Sequence, residues 1–404
     1  MKEMYTPMTT AHKSRVLDMT QGDPFRLVLQ FSMPLFCSNL LQQLYNLTDT
    51  ALAGHLLGAA ALAQIGATAA LYGLIMNFAF GMNNGLALTV SRYFGAGDEK
   101  GMRRAVGWMV TLSVGTSLVL TATSLLGRGA LLTLLQVPAE TWDGAAAYLT
   151  VILLGIPLTM LYNMEAALLR AVGNSITPLL FLLFSTVLNI GLDAAFMGPL
   201  GLGVRGAAIA TVLAQGISAL LGVWYILRSY PELRFRPAQL KETTRHAVAH
   251  MFWAGLSMGL MSAIYNLGSV ALQSSINALG SAYIAAQTAA RRLAELYFIP
   301  GGALGFSVAT FSSQNLGAGK RSRIWQSVKA ALVILRNMLQ GIQHTIEPLL
   351  ASALELIGKV IFAVWLVPVW GYRAVCFCEP TTWVICFVFI LFAAWRCRGD
   401  LRDA

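Results

Sequence analysis

Two aspartates sit inside long apolar stretches, Asp49 within residues 26–53 and Asp193 within residues 176–197. A bare carboxylate is costly away from water, so each is a candidate proton carrier, the competing reading being a hydrogen-bonded helix-packing residue. Asp49 does not stand alone. Asn39, Gln42, Gln43, Asn46, Asp49 and Thr50 follow helical spacing and fall on one face, which a lipid-facing side would not tolerate. Such a stripe must face a wet cavity or a partner helix, and we read these residues as cavity-lining. Asn189 precedes Asp193 by one turn and stacks on the same face. Two carboxylates and an amide oxygen could hold either a proton or a small hard cation.

Other polar residues in apolar context carry weaker signals. Glu165, within 145–169, has no local partner at a favourable spacing and is read as cavity-lining. Glu355 and Lys359 are an i,i+4 pair and Glu295 has Arg291 and Arg292 within one turn, so both groups read as structural bridges. His55 closes its apolar stretch and reads as interfacial. Five scattered cysteines, at 37, 376, 378, 386 and 397, match no zinc or redox spacing and read as small apolar fillers. The Gly-Ala-Gly segments at 95–97 and 317–319 end hydrophobic stretches and lack the lysine-serine/threonine ending of a phosphate loop. No HExxH, nucleophile elbow or Cys/His cluster is present, so no catalytic residue, metal or organic cofactor is expected.

The elements that position these residues are membrane helices. Hydrophobic residues make up 56% of the 404, charged residues only 11%, and the mean hydropathy is +0.64, far outside the range of soluble domains. About 20 apolar residues span a bilayer as helix, and such stretches recur near 26–53, 59–91, 105–126, 145–169, 176–197, 204–228, 247–273, 283–313, 346–367 and 372–396. The expected fold is all-α and polytopic. Pro34, Pro157, Pro178 and Pro300 interrupt these helices as bend points, with Pro34 a candidate hinge beside the polar stripe.

The chain is also written twice. LGAAALA at 57–63 returns as LGSAYIA at 279–285, and FGAG at 94–97 returns as LGAG at 316–319, both at an offset of 222 residues. RAVGNSITPLL at 170–180 returns as QGIQHTIEPLL at 340–350, but at an offset of 170, so the second copy has lost 52 residues. The counterparts of the polar stripe are Met261, Ile264, Tyr265, Gly268, Ala271 and Leu272, which places polar function in the first half. The stub that replaces the lost segment, near 321–341, is too short and charged for a full span. Two pseudo-symmetric helical bundles of about ten full spans plus this stub are therefore expected.

The net charge of +10 is arranged by loop. Arg92, Lys100, Arg103 and Arg104 fall in one loop, Arg228, Arg234, Arg236, Lys241 and Arg245 in another, and Lys320, Arg321 and Arg323 in a third, while intervening loops hold few cations. This positive-inside pattern puts the rich loops and both termini in the cytoplasm and argues against nucleic acid as partner. No cleaved signal peptide is expected, since the first residues are polar. The organisation is then a tail at 1–24, a six-helix N-lobe at 25–229, a cytoplasmic linker at 230–246, a truncated C-lobe at 247–396 and a tail at 397–404.

The segments QQLYNLTDTALAG, SRYFGAGD, SSQNLGAGK, YLTVILLGIPLTMLYNMEAALLRAVGNSITP, VLNIGLD, GVRGAAIATVLAQ and RNMLQG resemble the multidrug and toxic compound extrusion (MATE) family. The resemblance implies twelve helices in two six-helix lobes around a central cavity. It also implies a monomer in the cell membrane that exports cationic or amphiphilic small molecules, driven by proton or sodium entry. The family's first-helix aspartate falls on Asp49, and the Asn-x3-Asp of its DinF-like branch falls on Asn189 and Asp193. The acidic residue of the sodium-type branch has no counterpart in 254–280, which favours the DinF-like branch with coupling in the first lobe; of the two ions the proton is expected over sodium. The lost segment corresponds to most of the ninth helix and the start of the tenth. Alternatives are a related lipid-precursor flippase and an inactive truncated transporter.

Overall fold

The computed structural model describes residues 16–135, 137–277, 281–329 and 335–396. Each expected span is helical. The first lobe comprises α1 (Pro24–Leu57), α2 (Ala59–Gly95), α3 (Glu99–Leu126), the short α4 (Arg128–Leu134), α5 (Ala139–Ala171), α6 (Ile176–Met197) and α7 (Gly203–Ser229). A linker with a 3₁₀ turn and the short α8 (Pro237–Leu240) leads to α9 (Arg245–Asn277) and α10 (Ser281–Gly317). The chain continues through α11 (Arg321–Lys329), α12 (Leu335–Gly341), α13 (Ile346–Ile361), α14 (Val367–Trp370) and α15 (Tyr372–Arg396).

Local chemistry sets the helix ends. Asp23 caps α1, its Oδ1 accepting from Arg26 N at 2.8 Å, and Pro24 stands where no backbone donor is needed. Asp98 caps α3 in the same way, accepting from Gly101 N at 2.9 Å. Asn174 closes the α5–α6 turn: its Oδ1 accepts from Thr177 N at 3.0 Å and its Nδ2 donates to Thr177 Oγ1 and Tyr230 Oη, both at 2.8 Å. Pro34, Pro157 and Pro300 lie inside helices. Pro178 does not interrupt α6 as expected. It sits in the first turn, where a missing N–H costs nothing. Between α13 and α14 the helix widens to a π segment, Phe362–Leu366, that absorbs the missing donor of Pro368.

Among the described residues, seven helices are long and apolar enough to cross a membrane, or eight if Ala59–Ala69 and Leu71–Gly95 form one bent span. Of the expected ten, α1 falls short because its polar residues lower its hydropathy, and most side chains of the first half of α10 lie outside the described residues. Bulky apolar side chains such as Leu118, Val119, Val187, Leu220, Trp365 and Val388 point outward, as a lipid-facing surface requires.

Within the first lobe, α2 packs on α5, α5 on α7, α6 on α7 and α1 on α6. Pro34 divides α1 between two cores. Leu27, Val28, Phe31 and Leu35 pack with Phe311, Met338 and Ile390 of the second lobe, whereas Ala53 packs with Tyr148, Ile152 and Ala208 of the first.

The second lobe is thinner. By the repeat offsets α11 matches the first turns of α3 and α12 matches the last turns of α5, so what separates them in the first lobe has no described counterpart. At about 1.5 Å per residue neither stub reaches across a bilayer. Both dock on α10: Ile324, Met338 and Leu339 are fully buried, and Gly341 lies against the backbone of Ala309.

Candidate functional site

Asp49 and Asp193 reach each other across the α1–α6 contact. Their carboxylates face one another, and Asn189 lies beside Asp193. Asp193 and Asn189 are buried at 0% and 1% exposure, Asp49 half-buried. Apart from this mutual contact, Asp49 Oδ1, both Asp193 oxygens and both polar atoms of Asn189 are buried with no further hydrogen-bond partner among the described residues. Oxygens gathered in an apolar lobe without a counter-charge require a proton or a small cation between them.

Three tyrosines that sequence reasoning did not single out complete the surroundings. Tyr45, one turn before Asp49 on α1, approaches Thr211 of α7. Tyr72 of α2 approaches Gln215, which accepts from Thr159 Oγ1 at 2.6 Å, and Tyr148 of α5 lies near both aspartates. Tyr45 was within reach of sequence reasoning, since i,i+4 spacing stacks it on Asp49. Nothing in the sequence brings Tyr72 or Tyr148 there.

The polar stripe is divided by the fold. At about 100° per residue Asp49 lies at the edge of the stripe nearest Tyr45, and it turns into the lobe. Gln42, Gln43, Asn46 and Thr50 remain exposed and Asn39 half-buried, with Gln42 Nε2 donating to Asn46 Oδ1 at 3.5 Å. Glu165 does not join the aspartates. It is 2% exposed against Gly222 of α7 with both oxygens unpartnered, about 16 Å along that helix from Thr211 at 1.5 Å per residue.

The lobes meet at the end that carries the cation-rich loops. Here α2 crosses α9 through glycines on both sides, Gly81 and Gly85 against Gly255 and Gly259, so the backbones touch. Ser313 Oγ donates to Leu88 O at 2.6 Å and Ser91 Oγ to Thr310 O at 3.3 Å. The repeated motifs abut each other, Gly95 on the backbone of Gln314 and Gly317 on that of Arg92. The chain before α1 spans the seam: Leu17 N donates to Gly173 O at 3.0 Å, while Met19 is fully buried and bonded to Gln314 and Asn315.

Buried polarity is not confined to the first half, contrary to the expectation from the stripe. Lys359 Nζ lies 2.9 Å from Glu355 Oε1, as their spacing predicts, and 3.2 Å from Glu379 Oε1, which sequence reasoning missed. The side chains of Arg291, Arg292 and Glu295 lie outside the described residues. Of the cysteines, 37, 376, 378 and 386 are free, and Cys397 lies outside the described residues. Among the described residues no three His, Cys, Asp or Glu side chains converge as a metal site.

Comparison with known proteins places this geometry. The MatE family model matches residues 34–195 and 257–339. The chain is 31% identical over 310 residues to "Probable multidrug resistance protein YpnP" of Bacillus subtilis, covering 77% of this chain and 69% of that protein. It is 26% identical over 343 residues to "Probable multidrug resistance protein YoeA" of the same organism, covering 82% and 72%. Among solved structures, "Outward-facing conformation of a multidrug resistance MATE family transporter of the MOP superfamily" superposes with a TM-score of 0.87 at 19% identity, over 98% of this chain and 100% of that one. With motifs, two-lobed fold and relatives in agreement, the chain belongs to the MatE family of multi-pass membrane transporters.

Proposed function

We propose that this chain is a secondary active multidrug exporter that moves cationic or amphiphilic compounds out of the cell against an inward flow of cations, with the proton preferred to sodium. The observation that carries this reading is the Asp49–Asp193 pair, two carboxylates from different helices buried together without a counter-charge. A cation entering between them neutralises the site and weakens its hold on a positively charged substrate. Substrate binding in turn disfavours the cation, and this reciprocal linkage is what antiport needs. Asn189 supplies an oxygen to the same site, and the exposed Gln42, Gln43 and Asn46 offer neutral hydrogen bonds to a drug-sized molecule. The absence of an acidic residue in 254–280 supports coupling through the first lobe. The charge pattern supports cytoplasmic termini, so the seam at Gly95 and Gly317 closes the cytoplasmic side and the substrate path opens outward.

Purified chain in liposomes enclosing a pH-sensitive dye tests the reading. A cationic fluorescent substrate should drive proton movement in wild type, and Asp49→Asn or Asp193→Asn should abolish it. Unchanged proton movement in both variants would remove the pair from coupling. A chain that keeps the fold without transport is favoured by one observation, the two short stubs in the second lobe. It predicts no substrate-driven signal from wild type in the same assay.

A further inference from the structure

The Glu355–Lys359–Glu379 cluster is the strongest feature that this mechanism does not use. Lys359 is 1% exposed and Glu355 7%. The lysine stem crosses Gly268 of α9, where an added Cβ would stand 2.9 Å from Lys359 Cδ, and its ammonium lies between one carboxylate on α13 and one on α15. Cys378 is buried beside it.

The repeat gives this position its meaning. At an offset of 170, Ser185 corresponds to Glu355 and Asn189 to Lys359; at 168, Thr211 corresponds to Glu379; at 222, Asn46 corresponds to Gly268. The coordinates confirm the correspondence independently. In the first lobe Ser218 Oγ donates to Phe181 O at 3.1 Å, and in the second Cys386 Sγ donates to Ala351 O at 3.2 Å, the same two positions at the same offsets. The turn before each helix pair also repeats, with Gly173 at φ 85° and Gln343 at φ 68°. The lysine therefore stands where the first lobe places Asn189, beside Asp193 and Asp49.

We propose that the second lobe carries, at the position equivalent to the first-lobe site, a carboxylate site for a small cation of its own, and that Lys359 fills it permanently as a tethered cation. The reading rests on the assignment of Asp49 and Asp193 as the cation-coupling pair. An ammonium is a compact point charge on a flexible stem, and two carboxylates converging on it satisfy what sodium or a proton would otherwise satisfy. With its site filled from within the chain, the second lobe takes up no free cation, and a duplicated transporter couples through one lobe. Removing the ammonium leaves two like charges converging on one point with no counter-charge from the chain, a site open to a proton or a metal cation.

Binding of radiolabelled sodium to purified protein at mildly alkaline pH, with infrared detection of protonated carboxyl groups, tests this. The Asp49→Asn/Asp193→Asn double variant empties the first lobe and should show neither signal. Adding Lys359→Met should restore about one cation per chain, as bound sodium or as a protonated carboxyl, and further Glu379→Gln should remove it. A folded triple variant with neither signal overturns the proposal. So does a cation in the double variant that Glu379→Gln abolishes, because the site would then not be filled by lysine. If the Lys359→Met chain aggregates, sodium or acid, but not choline chloride, should restore a monodisperse protein, and failure of both overturns the proposal. Coupling that survives in the double variant would instead refute the first-lobe assignment, and the Lys359 comparison would still be read by sodium binding.

Discussion

Gly85→Ala should shift this transporter away from the state in which α2 and α9 touch. A Cβ on Gly85 would stand 2.5 Å from Ala254 O and 2.7 Å from Gly255 Cα, both backbone atoms that cannot rotate aside. Ordinary contact needs about 3.4 Å, so the helices must part by about 0.7–0.9 Å at this level. Two turns along, the Ser91–Thr310 hydrogen bond joins α2 to α10 and is already 3.3 Å long, so the same displacement carried by the second lobe as a unit takes it beyond bonding range. Overpacking and the weakened bond together cost about 1–3 kcal/mol. The penalty applies only where the lobes are closed at this seam. The open-seam population should therefore rise about 5–150-fold relative to wild type.

Spin labels at Lys100 and Ser322, in the first turns of α3 and α11 on either side of the seam, report the shift as a growing long-distance component in pulsed dipolar spectra. The labels need a background without the native cysteines. Gly81→Ala, whose Cβ would stand 2.5 Å from Met258 O, should act in the same direction. Gly73→Ala is the control: it lies on the same helix with nothing within 4 Å of an added Cβ, so it gains helix propensity without a clash. Identical distance distributions for Gly85→Ala and Gly73→Ala would refute the argument that backbone contact at the glycines holds the seam closed.

Two further substitutions probe how the lobes are held. Asn174→Ala removes three hydrogen bonds at a fully buried position and should destabilise the first lobe by about 2–4 kcal/mol, read as a lower thermal unfolding midpoint. Met19→Ala deletes a fully buried side chain of the segment that bridges the lobes, at a cost of about 2–5 kcal/mol, and should make the peptide around Leu17 more accessible to limited proteolysis; unchanged cleavage would mean that Met19 does not anchor it.

Much of this molecule is legible in local sequence because local physics writes it. Apolar runs of bilayer length can satisfy their backbone only as helices, so all ten expected spans appear as helices, the helices of the expected 105–126 and 145–169 starting six residues earlier, at Glu99 and Ala139. Aspartate at the caps of α1 and α3 and a glycine at the α5–α6 turn mark boundaries through groups only a few residues apart. The repeat offsets proved to be structural coordinates, since Ser218–Phe181 and Cys386–Ala351 superimpose by them. Helical periodicity also placed Asn189 and Asp193 on one face and paired Glu355 with Lys359.

Tertiary packing decided what those faces meet. Periodicity assigned Asp49 to the exposed stripe, yet it sits at the edge of that stripe and turns into the lobe with Tyr45. That choice depends on how α1 rolls against α6, and a helix pattern does not encode the roll. Glu165, like Asp193 a carboxylate inside an apolar stretch, lies against Gly222, turns away from Asp49 and Asp193. Glu379 joined Lys359 because α15 packs on α13, a pairing that no spacing along the chain records. In a membrane every helix is apolar outside, so hydrophobicity cannot choose neighbours, and close approach of small residues with a few buried polar contacts selects them instead. Composition and periodicity thus settle membrane class, duplication and the identity of the charged residues, while three-dimensional packing settles which charges lie together and that Lys359 sits between Glu355 and Glu379.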